Sequence, residues 1–168
     1  MSDGSRTEKN LNEAFSGESQ ANRKYLAFAK QADKEGLTQV AKLFRAAAEA
    51  ETIHAHSHLK ALKGIAGTRE NLLEAIAGET HEFQSMYPQM IIDAEQEGAA
   101  DALRAFKFAN AVEAVHARLY QAALDSLDSN TDTFDYFICP VCGHTVEREA
   151  PERCEVCGAA GRLFFIVR

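Results

Sequence analysis

The chain repeats itself, and that repeat limits what its 168 residues can fold into more than any other feature. TEKNLNEAFSGES, from Thr7 to Ser19, returns as TRENLLEAIAGET, from Thr68 to Thr80, with seven of the thirteen positions identical. Glu18 maps onto Glu79 at an offset of 61, whereas Gly36 and Gly98, Glu51 and Glu113, and His54 and His116 lie 62 apart. One residue has therefore been inserted in the second copy, between Glu79 and Gly98. Two copies around a pseudo-two-fold axis bring equivalent residues together at the centre.

The repeated unit reads as helical. Residues 7 to about 127 are rich in Ala, Glu, Lys, Leu and Gln and hold a single proline, Pro88. Apolar residues recur at three and four spacing, Leu37, Val40, Phe44, Ala47 and Ala48 in one stripe and Phe106, Ala109, Ala117 and Tyr120 in another. Thr7 and Thr68 are the expected N-caps, and Gly36 and Gly98 suit the residue just past a helix end. The pattern predicts helices at 7–35, 38–63, 69–97 and 99–127, each roughly 40 Å long. Such lengths make an all-α four-helix bundle of two repeated hairpins. Pro88 is expected to bend the third helix near its middle.

Each copy carries Gly-Glu and, 33 or 34 residues on, Glu-x-x-His. The pairs Glu51/His54 and Glu113/His116 are i,i+3 neighbours that can reach one ion. Glu18 sits between Leu11, Phe15 and Tyr25, and Glu79 among Leu72, Ile76, Phe83 and Met86. Four glutamates, one per helix, thus point inward. Most glutamates of such a chain are solvated, but four on core faces would cost several kcal/mol each if ionised and unpaired. They would also repel one another, and no Lys or Arg shares those faces. Two cations remove the problem, and oxygen ligands with two imidazoles suit iron or manganese. This is the ligand set of ferritin-like di-iron bundles. Glu82, three residues after Glu79, corresponds to Ala21 and gives the second copy a spare carboxylate. A redundant ligand lets a metal change partners with oxidation state. Tyr25 and Tyr87 occupy matching places, suited either to hydrogen-bonding the ligands or to packing the core.

After Leu127 the composition changes. SNTDT reads as a linker, which divides the chain into domains 1–128 and 134–168 joined by 129–133. Short strands are expected near 134–138, 144–147 and 163–167. CPVCG from Cys139 is echoed by CEVCG from Cys154, so Cys139, Cys142, Cys154 and Cys157 offer four thiolates to a tetrahedral ion. A module of about 35 residues needs that metal to fold. Spacing alone favours zinc over iron.

A net charge of −7 without a basic stripe argues against nucleic acid as a partner. The absence of a run of about 18 apolar residues argues against a membrane span. MSDGSRTEKN lacks the apolar core of a signal peptide, so a cytoplasmic location is expected. Paired cysteines in such a chain speak for metal rather than disulfides.

With GES at 17–19, ETIH at 51–54, GETHE at 78–82, MYP at 86–88, EAVH at 113–116 and both knuckles, the chain resembles the rubrerythrin family over residues 7–168. The resemblance implies a di-iron bundle followed by a rubredoxin-like domain whose cysteines hold iron, with zinc as a possible substitute. It implies a peroxidase that reduces hydrogen peroxide to water, its electrons returned through the four-thiolate iron from an upstream reductase or rubredoxin. It implies that Glu51 and Glu113 bridge the irons, that Glu18, Glu79 and His116 are terminal ligands, and that Glu82 and His54 exchange. Glu82, His54, Tyr25 and Tyr87 are then the catalytic candidates. The alternatives left open are a ferroxidase or iron-handling protein and a zinc-bearing scaffold without catalysis.

The chain departs from the usual ferritin-like bundle in one respect. That bundle joins its second and third helices by a long crossover, but here only about Lys63 to Gly67 separates them, a reach of roughly 18 Å at most. Either the bundle runs up-down-up-down, or two chains of a homodimer exchange hairpins. Exchange is the expectation, because it keeps the site: Glu18, Glu51 and His54 come from one chain, and Glu79, Glu82, Glu113 and His116 from the other. The resemblance also implies that the tail of one chain contacts the bundle of its partner.

Overall fold

The computed structural model describes residues 5–129 and 132–167, which divide between residues 66 and 67 into two compact units.

The first unit is a hairpin of α1 (Arg6–Lys34) and α2 (Thr38–Ala61). The cap of α1 is Ser5 rather than Thr7, since the Ser5 hydroxyl accepts the Glu8 N–H at 3.1 Å. Gly36 turns the chain with φ at +74°, a conformation that favours glycine. The seam is made of small residues. Ala29, Ala32, Ala41, Ala48 and Ala55 are buried and let the two helices approach closely. Asn22 ties the seam by donating to the Ala48 carbonyl at 2.7 Å and to the Thr52 hydroxyl at 2.9 Å. The larger apolar residues stay in the open: Phe28 is 47% exposed, Val40 42% and Leu43 67%. Two helices that bury little beyond alanines are not self-sufficient.

The second unit pairs a broken helix with a straight one. α3 (Thr68–His81) runs into a π turn (Glu82–Met86), then α4 (Tyr87–Glu97), and α5 (Ala100–Asp125) packs along them. Gly67 occupies the N-cap of α3, so Thr68 is already helical and caps nothing. The break is where the inserted residue went. Tyr87 N–H donates to the Glu82 carbonyl five residues back, and one extra residue in an α-helix produces this bulge. Tyr25 and Tyr87 are already 62 apart, so the offset changes between Glu79 and Tyr87, within reach of the turn. The interruption therefore precedes Pro88 instead of being a simple bend at it. The repeat survives on either side: ring centroids of Tyr25 and Phe44 lie 6.1 Å apart, and those of Tyr87 and Phe106 lie 6.2 Å apart.

The tail of this unit forms β1 (Tyr136–Ile138), β2 (Thr145–Glu147) and β3 (Phe165–Val167), an antiparallel sheet in the order β2-β1-β3. The strands fall where expected, with residues 161–163 in a short 3₁₀ turn. Of the expected linker, residues 130 and 131 lie outside the described residues. α5 ends at Asp125, yet Gly143 lies against Val112, where an added Cβ would sit 3.9 Å from its methyl. The tail thus doubles back roughly 20 Å along α5. The tail packs on a helix of its own chain. The helices and the small β module are those expected from the sequence. Among the described residues no helix is long and apolar enough to cross a membrane.

Candidate metal centres

Each unit gathers one triad. In the first, Glu18, Glu51 and His54 each bring a ligand atom within 4.8 Å of the others, and Glu51 Oε2 is 3.0 Å from His54 Nδ1. Helical spacing does this: Glu51 and His54 share a face of α2, and α1 lays Glu18 beside them. In the second unit Glu79, Glu113 and His116 form the matching group. Glu113 Oε2 lies 2.8 Å and Glu79 Oε1 3.8 Å from His116 Nδ1. The glutamates are half-buried, as the apolar flanks predict. Glu82 is not one of this triad. It sits half-buried at the head of the π turn, with its charge directed at Tyr87.

The two groups tune their carboxyls in opposite directions. The hydrogen bond from His54, with that of Glu18, holds the Glu51 carboxyl below its usual range. Burial, and then the charge of Glu113, pushes Glu79 up. Burial and the charges of Glu82, Glu113 and Glu79 raise Tyr87, so its phenol stays protonated beside the site. Tyr25 packs against Phe28 and Phe44.

The two histidines are held differently. His116 Nε2 lies 2.9 Å from Thr145 Oγ1 on β2. The Thr145 hydroxyl also reaches the Gly143 carbonyl at 3.1 Å, so its oxygen is free to accept an Nε2–H whenever a cation occupies Nδ1. Nδ1 faces the Glu113 and Glu79 oxygens, where a proton on the ring holds the contact in the free protein and a cation would replace it. Only a proton or a metal cation satisfies three acceptors converging in this way, so the donor set fits a metal. Nothing in the sequence marks Thr145: its contact spans 29 residues and exists only because the tail folds back.

In the tail, Cys139 Sγ lies 3.6 Å from Cys157 Sγ, and Cys142 Sγ 3.5 Å from Cys154 Sγ. A tetrahedral ion with bonds of about 2.3 Å spaces its sulfurs at about 3.8 Å, whereas a disulfide needs about 2.05 Å. The four sulfurs are therefore placed for an ion. The two knuckles match: Gly143 N–H donates to the Cys139 carbonyl and Gly158 N–H to the Cys154 carbonyl, each at 2.9 Å. Against the upward push of burial, backbone N–H groups of Val141 and Cys142 lower Cys139. Burial pushes Cys142 and Cys157 up, so a bound cation must displace their protons.

Fold and sites together define a class, the ferritin-like helical protein with a carboxylate/histidine di-iron set and a rubredoxin-like module. Comparison with known proteins agrees. The family model for rubrerythrin matches residues 9–124, and that for the rubrerythrin rubredoxin-like domain matches residues 137–164. Rubrerythrin-2 of Clostridium acetobutylicum is 36% identical over 88% of this chain and 89% of its own. Nigerythrin of Nitratidesulfovibrio vulgaris is 35% identical over 90% of this chain and 81% of its own. A solved structure of nigerythrin in its mixed-valent state superposes with a TM-score of 0.59 at 34% identity, covering 99% of this chain and 88% of that one. The chain belongs to the rubrerythrin family. It is a di-iron oxidoreductase of oxidative-stress defence, with Glu and His groups for two irons and four clustered cysteines for a third.

Proposed function

We propose that this protein is a non-haem peroxidase that reduces hydrogen peroxide to water in the cytoplasm, with electrons delivered through the four-cysteine site. The observation that carries this reading is the seat of the tail. The Cys139–Gly143 knuckle lies on α5 beside Val112, and Thr145 of β2 meets His116 of the Glu79/Glu113 triad. An electron inlet is useless to iron storage and useful to a reductase. When bound, two ferrous ions would supply the two electrons that peroxide needs, and a four-thiolate iron held by Cys139, Cys142, Cys154 and Cys157 would return them one at a time.

In this reading Glu51 and Glu113 would be the ligands shared by the two irons, and Glu18, Glu79 and His116 would each serve one of them. Glu82 and His54 are the ligands that exchange, Glu82 from outside its triad and His54 from an exposed position. Tyr87, kept protonated by burial and its acidic neighbours, offers a hydrogen bond toward the reacting oxygens, and Tyr25 is its counterpart in the first copy. Residues 1–128 supply the di-iron domain, 129–133 the linker and 134–168 the rubredoxin-like domain. Because each unit carries half of the ligands and six residues connect α2 to α3, we assign the working form as a homodimer with exchanged hairpins. The exposed apolar residues of the first hairpin support that assignment. The electron donor is a reductase or a rubredoxin.

The test is to reduce the protein without air, add one equivalent of hydrogen peroxide, and follow the visible bands of the ferric four-thiolate iron. Their return within milliseconds to seconds, much faster than with dioxygen, is expected. Faster return with dioxygen would favour a ferroxidase. A colourless tail holding zinc would remove the electron inlet and with it the peroxidase.

A further inference from the structure

The two copies give their histidines unequal support, and the difference points to a residue outside both triads. His54 has 56% of its side chain exposed, and among the described residues its Nε2 meets no partner. His116 is 28% exposed and its Nε2 is anchored on Thr145. Thr145 is itself fixed: it pairs with Ile138 across the β1–β2 ladder, and its hydroxyl is committed to Gly143. The anchor is therefore a rigid strand of the four-cysteine module, not a mobile surface group.

We propose that Thr145 is a positioning residue for His116: from the tail of the same chain, it holds the ring at Nε2, accepting its N–H when a cation sits on Nδ1, and turns Nδ1 toward Glu79 and Glu113. A ring anchored at Nε2 on a fixed oxygen cannot flip without breaking that hydrogen bond, so Nδ1 is held at the carboxylates where a cation would bind. Hydrogen-bond partners of ligating histidines are typically worth tenfold to a hundredfold in metal affinity. The consequence is specific. Seating of the tail sets the quality of the carboxylate/histidine site, so that a chain with a misplaced tail is also a poor metal binder at the bundle. The inference rests on His116 being a ligand of that site.

The test uses the full-length protein with zinc in the four-cysteine site and Co²⁺ titrated into the carboxylate site. Thr145→Val removes the acceptor but keeps the shape and suits a strand; Thr145→Ser keeps the hydroxyl. Cobalt binding is expected to weaken about tenfold to a hundredfold in T145V and to stay within about threefold of the parent in T145S. Long-range ¹H–¹⁵N correlations of the protein with diamagnetic zinc in the carboxylate site are expected to show His116 bound through Nδ1 with Nε2 protonated in the parent and T145S, and a mixture of forms in T145V. Parental affinity and an unchanged tautomer in T145V would overturn the proposal. Should valine disturb the strand, alanine against serine makes the same comparison. His116→Ala separates the two levels. If H116A binds cobalt like the parent, the ligand assignment fails; if H116A is weakened and T145V is not, only the role of Thr145 fails.

Discussion

The first and second hairpins carry the same chemistry at the same positions, and they differ in what braces it. In both, a glutamate from one helix meets a Glu-x-x-His from the next, with the carboxylate 3.0 Å from the imidazole in one and 2.8 Å in the other. Only the second has a π turn, a spare carboxylate at Glu82 and a strand from the tail on its histidine. Duplication thus yields the paired donors that two cations need, and later additions to one copy make the pair unequal. The second copy is the braced side of the proposed site, and the first, with its open His54, is the side that yields.

Unequal halves can be tested by treating both alike. The largest effect belongs to the proposed bridges. Glu51→Ala and Glu113→Ala should each weaken metal binding at the carboxylate site by about a hundredfold, measured by cobalt titration. A large loss in one and none in the other would mean that the two positions are not equivalent ligands. Next come the histidines. His116→Ala is expected to cost about tenfold to a hundredfold in affinity, and His54→Ala less than about tenfold, because the exposed ring holds its place less firmly. Equal losses would remove the asymmetry. A third comparison edits the insertion. Deleting Ser85 gives the second copy the length of the first and lets the helix run unbroken; peroxide turnover should fall on the order of tenfold as Glu82 and Tyr87 lose their relation, with helical content unchanged by circular dichroism. Unchanged turnover would show that the π turn has no part in the chemistry. The smallest effect is Ser5→Ala, which should destabilise the protein by about 1 kcal/mol in denaturant unfolding, leaving metal affinity alone.

Much of this was legible in the sequence, for reasons that particular residues make plain. The four helices and both Glu-x-x-His pairs could be read because helical periodicity is local and the repeat doubled every signal. The cysteine knuckles could be read because their spacing is the geometry. The change of offset from 61 to 62 revealed an insertion, but periodicity alone could not say whether a helix or a loop absorbed it. It lies in the helix, at the turn that begins with Glu82. Ser5, with Glu8 three residues on, has the sequence signature of a capping box, and its hydroxyl takes the Glu8 N–H; Thr7 obscured it. Thr145 could not be found at all: a serviceable strand residue acquires a role only when the chain folds back on α5, and no local pattern encodes that return.

The central claim is that each metal site joins a half from one chain to a half from another. It is tested most directly by complementation. One chain carries Glu51→Ala with His54→Ala, a second carries Glu113→Ala with His116→Ala, and differently tagged copies are refolded together so that the mixed dimer can be isolated. Neither parent variant should load its carboxylate site. With exchanged hairpins the mixed dimer unites the intact first hairpin of one chain with the intact second hairpin of the other, and should recover about half the carboxylate-site metal of the unmodified dimer, together with peroxide turnover. If each site forms within one chain, both sites of the mixed dimer stay broken, and recovery no greater than that of the parent variants would contradict hairpin exchange.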